Sequence, residues 1–65
     1  MDKENMAQKL RALRGNRTQK EVAEAVGISQ AALSQYESGL RVPRDEIKVR
    51  MADYYKRSVN FIFYA

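Results

Sequence analysis

Gln30, Ala31, Ser34 and Gln35 share one face if the segment around them is helical, because the spacing matches the 3.6-residue turn. That face carries primary amides, a hydroxyl and a methyl group, with no charge except Glu37 near its end. A solvated helix ordinarily shows Lys and Glu there. Here the cations stand on either side instead, Arg17 and Lys20 before it and Arg41 and Arg44 after it. Amides and small groups read base edges, whereas cations neutralise phosphates and fix register. The pattern therefore suits double-stranded DNA. On an isolated helix the same glutamines would more simply be solvated surface.

Other chemistries are poorly supplied. The chain has no cysteine and no histidine. Disulfides and thiolate metal sites are thereby excluded, and so is the usual general base. No carboxylate pair falls in a plausible cleft, and serine is no nucleophile without a base beside it. We expect no enzymatic activity, no cofactor and no metal. Lys and Arg number 12 against 8 Asp and Glu, a net charge of +4, which suits a polyanionic partner. No apolar run approaches the roughly 20 residues of a membrane span. Met1 to Met6 lacks the apolar centre of a signal peptide. The expectation is a cytoplasmic protein. Opening on Met1 without a visible tag, it reads as a complete small protein.

The elements that must position the amide face are marked by breakers. Gly15, Gly27, Gly39 and Pro43 each fall between apolar-periodic stretches. Met6, Leu10 and Leu13 give a first helix from about Lys3 to Arg14, closed by Gly15 and Asn16. Thr18-Gln19-Lys20-Glu21 is a capping box, with reciprocal bonds expected between Thr18 and Glu21. Val22, Ala23 and Val26 are the buried side of the helix it starts, and Gly27 ends it in a left-handed conformation. Ser29 caps the third helix, whose Leu33 and Tyr36 face inward. Asp45 is the expected cap of a fourth, with Ile47, Met51, Ala52 and Tyr55 inward. Ser58 caps a short fifth containing Val59, Ile62 and Phe63. The fold class is all-α, a compact five-helix domain over residues 1–65 with its helix-turn-helix at about 18–38. Ala23 allows two helices to cross closely, and Val22, Val26, Ile28 and Leu33 fill the angle between them.

At these residues the sequence resembles the lambda-type phage repressor and Cro family, also called the xenobiotic-response-element family. The spacing of Gln19, Ala23, Gly27, Leu33 and Tyr36 carries the likeness, as do the strings TQKEVAEAVGISQAALSQYESG and RVPRDEIKVRMADYY. It extends from about Met6 to Phe63. The resemblance implies the lambda repressor-like DNA-binding fold and a transcriptional regulator, more often a repressor, in a bacterial cell and at its nucleoid. It implies that Gln30, Ala31 and Gln35 meet base edges, with Ser34 facing the same groove. It implies that Gln19 binds phosphate and braces the first reading residue. Arg41 and Arg44 correspond to loop positions near the DNA backbone or minor groove. Arg14 and Glu37 correspond to an ion pair tying the first helix to the end of the recognition helix. Arg17 and Lys20 join the phosphate-contacting set on charge and position.

The sequence departs from the family in its link from Arg14 to Thr18, which is two residues shorter than is common. Asp45 and Glu46 place acid near the expected DNA side. We expect no ligand-sensing or cleavage domain of the kind that larger repressors carry. The expected mode is a dimer on a near-palindromic operator, its half-sites one helical turn apart. The apolar run Phe61-Ile62-Phe63-Tyr64 leaves Phe61, Phe63 or Tyr64 as candidates for the dimer contact, or else folds onto its own core. A protein-interaction module of antitoxin or adaptor type, with an incidental basic face, is the competing class.

Overall fold

Local capping chemistry sets where each helix begins. In the computed structural model, which describes residues 2–65, Asp2 Oδ1 accepts from the Glu4 and Asn5 amides at 3.0 and 3.3 Å and opens α1, Lys3–Arg14. Met1, part of the polar N-terminal segment, lies outside the described residues. Thr18 Oγ1 accepts from the Glu21 amide at 3.0 Å and opens α2, Gln19–Val26. The capping box is only half formed, because the Glu21 carboxylate stays in solvent and makes no return bond. Ser29 Oγ accepts from the Ala32 amide at 3.0 Å and opens α3, Gln30–Glu37.

The fourth helix, α4, spans Asp45–Tyr55, and its cap position is Arg44 rather than Asp45. Asp45 sits inside the first turn, where its charge favours the helix N-terminus without a capping bond. Lys56 ends α4 in the left-handed region, at φ 57°. Ser58 Oγ then accepts from the Phe61 amide at 3.0 Å. The last element, α5, is a π-helical turn over Asn60–Tyr64 rather than an ordinary α-helix.

The described residues contain five helices and no strand. The first helix packs against α3 and α5, and α2 against α3 and α4. Each helix contributes an apolar stripe to one core, including Met6 and Leu10, Val22, Leu33, Met51 and Ile62. Ala23 is buried where α2 meets its neighbours. Phe63 is only 2% exposed, so it belongs to the core and leaves the set of exposed interface candidates. Adjacent Ile62 and Phe63 both turn inward at the widened last turn, with Phe61 and Tyr64 left outside. No helix among the described residues is long and apolar enough to cross a membrane.

Candidate nucleic-acid interface

The turn between α2 and α3 is built by one glycine and one distant arginine. Gly27 adopts φ 86° and ψ 37°, a left-handed conformation that a β-carbon strains. Its amide and that of Ile28 both donate to Ala23 O, at 2.8 and 3.0 Å, which satisfies one of the carbonyls in the last turn of α2. Arg50, from α4, donates through Nε to Val26 O at 3.2 Å and through Nη2 to Gly27 O at 3.1 Å. Its Nη1 lies 3.2 Å from Glu46 Oε1. Glu46 is therefore a brace for the turn. Asp45 in turn approaches Lys48 Nζ at 3.6 Å, so both acids at the start of α4 have local cationic partners.

The third helix presents Gln30, Ala31 and Ser34 to solvent, with Gln35 half-buried beside them. Leu33 and Tyr36 hold the opposite side in the core. Glu37 does not lie on the exposed face as its position suggested. It is 3% exposed, and its carboxylate joins three helices. Arg14 Nε donates to Oε2 at 2.8 Å and Gln19 Nε2 to Oε1 at 2.9 Å. Arg11 Nη1 adds a hydrogen bond to the Glu37 backbone carbonyl. The hydrogen bond to Glu37 raises the Arg14 guanidinium above its ordinary value, so this cation stays charged throughout the working range. The two donors at the carboxylate offset part of the cost of taking it out of water.

The cations expected at phosphates divide into distinct groups. Lys20 and Arg44 are exposed and make no side-chain hydrogen bond among the described residues. Arg41 is exposed, and its Nη1 donates to Gln35 Oε1 at 3.0 Å. Arg41 and Arg44 line one open cleft of about 420 Å³ beside the start of α3, together with Ser29, Ala32 and Arg50. Arg17 is committed to the fold instead. Its Nη2 and Nε donate to Leu13 O and Arg14 O at 2.6 and 3.1 Å, and its Nη1 to the Tyr54 hydroxyl at 3.1 Å. The guanidinium also stacks over the Tyr54 and Tyr55 rings. It therefore ties the end of α1 to α4, which leaves it less free for a phosphate than Lys20 or Arg44.

Sequence reasoning missed Arg11, Lys48 and Arg50. Glu46 four residues before Arg50 was a readable helix pair, but nothing local points that side chain at Val26 and Gly27. Lys48 is buried, and its Nζ donates to the Tyr64 hydroxyl at 2.6 Å, pinning α5 to α4. That bond, with Asp45 nearby, raises the lysine above its ordinary value against the cost of burial.

Two short helices joined by a left-handed glycine, with an uncharged polar face turned outward, define the helix-turn-helix class of DNA-binding domain. A family model described as Helix-turn-helix matches residues 8–62. The chain belongs to this family, which is the lambda-type repressor and Cro group that its sequence resembles. At that level it is a DNA-binding transcription regulator, from a regulatory family rather than an enzymatic one. No curated protein and no solved structure gave a significant match.

Proposed function

We propose that this protein represses transcription by seating α3 in the major groove of a near-palindromic operator, in a bacterial or phage setting. The outward, uncharged, amide-bearing face of α3 carries this reading. Gln30, Ala31, Ser34 and Gln35 meet base edges, and Ala31 packs on a thymine methyl group. Lys20 and Arg44 neutralise phosphates. Gln19 has a second amide hydrogen beyond the one given to Glu37, and it donates that one to a phosphate oxygen.

Two copies act together. The Cα envelope is 26 × 21 × 21 Å, whereas successive major-groove half-sites lie about 34–36 Å apart. One chain with one recognition helix therefore reads one half-site. Phe61, 39% exposed, and Tyr64 remain as dimer contacts. Phe61 lies between Lys9 and Arg57, at 4.6 and 5.1 Å from its ring centroid.

Selection of duplexes from a random pool, read at two salt concentrations, tests the proposal. A symmetric enriched site is expected. Gln30→Ala should lose about 1–3 kcal/mol and relax preference at one base pair. Arg44→Ala should weaken all duplexes alike and reduce the salt slope by about 1. Equal losses on specific and random duplexes for both variants would contradict the assignment of readers and anchors. A sedimentation profile that stays monomeric with operator present would remove the dimer.

A further inference from the structure

Gln35 and Arg41 form one unit, assembled by the turn that ends α3. Gly39 takes φ 78°, and the chain doubles back on the helix. The Gln35 carbonyl then accepts from Ser38 Oγ at 3.1 Å, from the Leu40 amide at 3.0 Å and from the Arg41 amide at 3.3 Å. These bonds place Arg41 directly beside the helix residue it follows by six positions, and Nη1 closes on Gln35 Oε1 at 3.0 Å. The guanidinium also lies over the Tyr36 ring, 5.9 Å from its centroid. Backbone, side chain and ring thus hold the same arginine.

The chemistry of that pair differs from that of a free glutamine. A guanidinium has donors only, so the amide atom facing it must be the oxygen. The Gln35 amide nitrogen is left to point elsewhere, next to the remaining donors of a cation. A free glutamine pairs with adenine by accepting from N6 and donating to N7. Beside Arg41, an N6 amino group would bring its hydrogens toward a positive charge. The guanine edge offers N7 and O6, both acceptors, and meets no such opposition. Resting on the major-groove reading above, we propose that Gln35 and Arg41 together select guanine at one base pair, so that Arg41 determines specificity rather than anchoring a phosphate.

The test uses wild type, Arg41→Ala, Gln35→Ala, the double variant and Arg41→Lys, with circular dichroism to verify each fold. Each is taken through random-pool selection and then titrated onto the enriched duplex and its single guanine-to-adenine exchange. Wild type should enrich guanine at the pair where Gln35→Ala relaxes preference, by on the order of ten- to a hundredfold over adenine. Arg41→Ala should lose that preference at the same pair and keep the others, with the double variant no worse than either single. Arg41→Lys keeps the charge without the planar fork, so it should retain the salt slope and lose most of the guanine preference. Enrichment of adenine by wild type, or equal weakening of both duplexes by Arg41→Ala, overturns the pairing. If Gln30→Ala still relaxes one base pair in that case, the major-groove reading survives alone. If no duplex is enriched at all, both fall.

Discussion

Glu37→Ala removes the one carboxylate that α1, α2 and α3 share. Arg14 loses its partner at 2.8 Å and Gln19 its partner at 2.9 Å. Removing one member of a fully buried pair costs about 3–5 kcal/mol, largely because the other charge stays behind in a poor solvent. Arg14 is 22% exposed and finds some water, which lowers that figure. The Gln19 amide adds the cost of a broken hydrogen bond, about 1 kcal/mol. Together these give roughly 2–4 kcal/mol, a large share of the few to ten kcal/mol typical of a domain this small.

Urea denaturation followed by circular dichroism reads this directly, and a thermal melt should fall by about 4–8 °C for each kcal/mol. Arg14→Ala should cost at least as much, since it strands a carboxylate with far less access to water. The two losses should not add: a double-mutant cycle should return a coupling above about 1 kcal/mol. Replacing the pair by Met at Arg14 and Leu at Glu37 should recover most of the stability. A Glu37→Ala protein within about 0.5 kcal/mol of wild type, the usual range for a surface change, would refute the account. Additive single losses would do the same.

Two other changes test the turn and the core. Gly27→Val sets a β-branched residue at φ 86°, and even the first carbon of its side chain would lie 2.6 Å from Arg50 Nη2. Left-handed strain of about 1–2 kcal/mol and the lost arginine clamp should together destabilise by roughly 2–4 kcal/mol; an unchanged melting temperature would contradict the turn geometry. Tyr55 has a buried hydroxyl with no hydrogen-bond partner among the described residues, and burial, reinforced by the charge of Glu37, pushes its phenol up to about 12. The unfolded chain sheds that proton near pH 10, so wild type should lose stability from pH 10 to 12, by up to about 1.4 kcal/mol per pH unit. Tyr55→Phe should be as stable as wild type at neutral pH, or about 1 kcal/mol more so, with a shallower alkaline decline. Parallel declines for the two proteins would show that this hydroxyl is not the cause.

The helices were legible because the signals that start and stop them are local. Thr18 and Ser29 reach amides three residues on, and Gly27 serves the turn it occupies. Apolar spacing then points Leu33 and Tyr36 inward with no knowledge of their neighbours. Asp45 misled by one position because aspartate favours both the cap and the first turn, through different forces. Phe63 was ambiguous because four apolar residues in a row carry no period, and only the widened last turn decides which of them face the core. Arg17 and Arg50 show the other limit. A long cation announces a charge but not every partner: beside their local bonds, Arg17 reaches Tyr54 and Arg50 reaches Val26, both in segments remote in sequence.

The same limit governs the candidate interface, where three glutamines of identical chemistry are made unequal by what they touch. Gln30 makes no side-chain hydrogen bond among the described residues and offers both a donor and an acceptor. Gln35 has its oxygen against Arg41, so it meets a partner chiefly as a donor. Gln19 has one amide hydrogen on Glu37 and the other free for a phosphate. Residue type alone would assign all three the same reading. The differences arise from Gly39, which folds Arg41 back, and from the burial of Glu37, which draws Gln19 to it. If this surface reads DNA as proposed, its specificity rests partly on residues that need never touch a base. The carboxylate that fixes the end of α3 also orients Gln19 at the start of α2, so under the proposed docking the pose of α3 and the phosphate contact of Gln19 would share one physical origin.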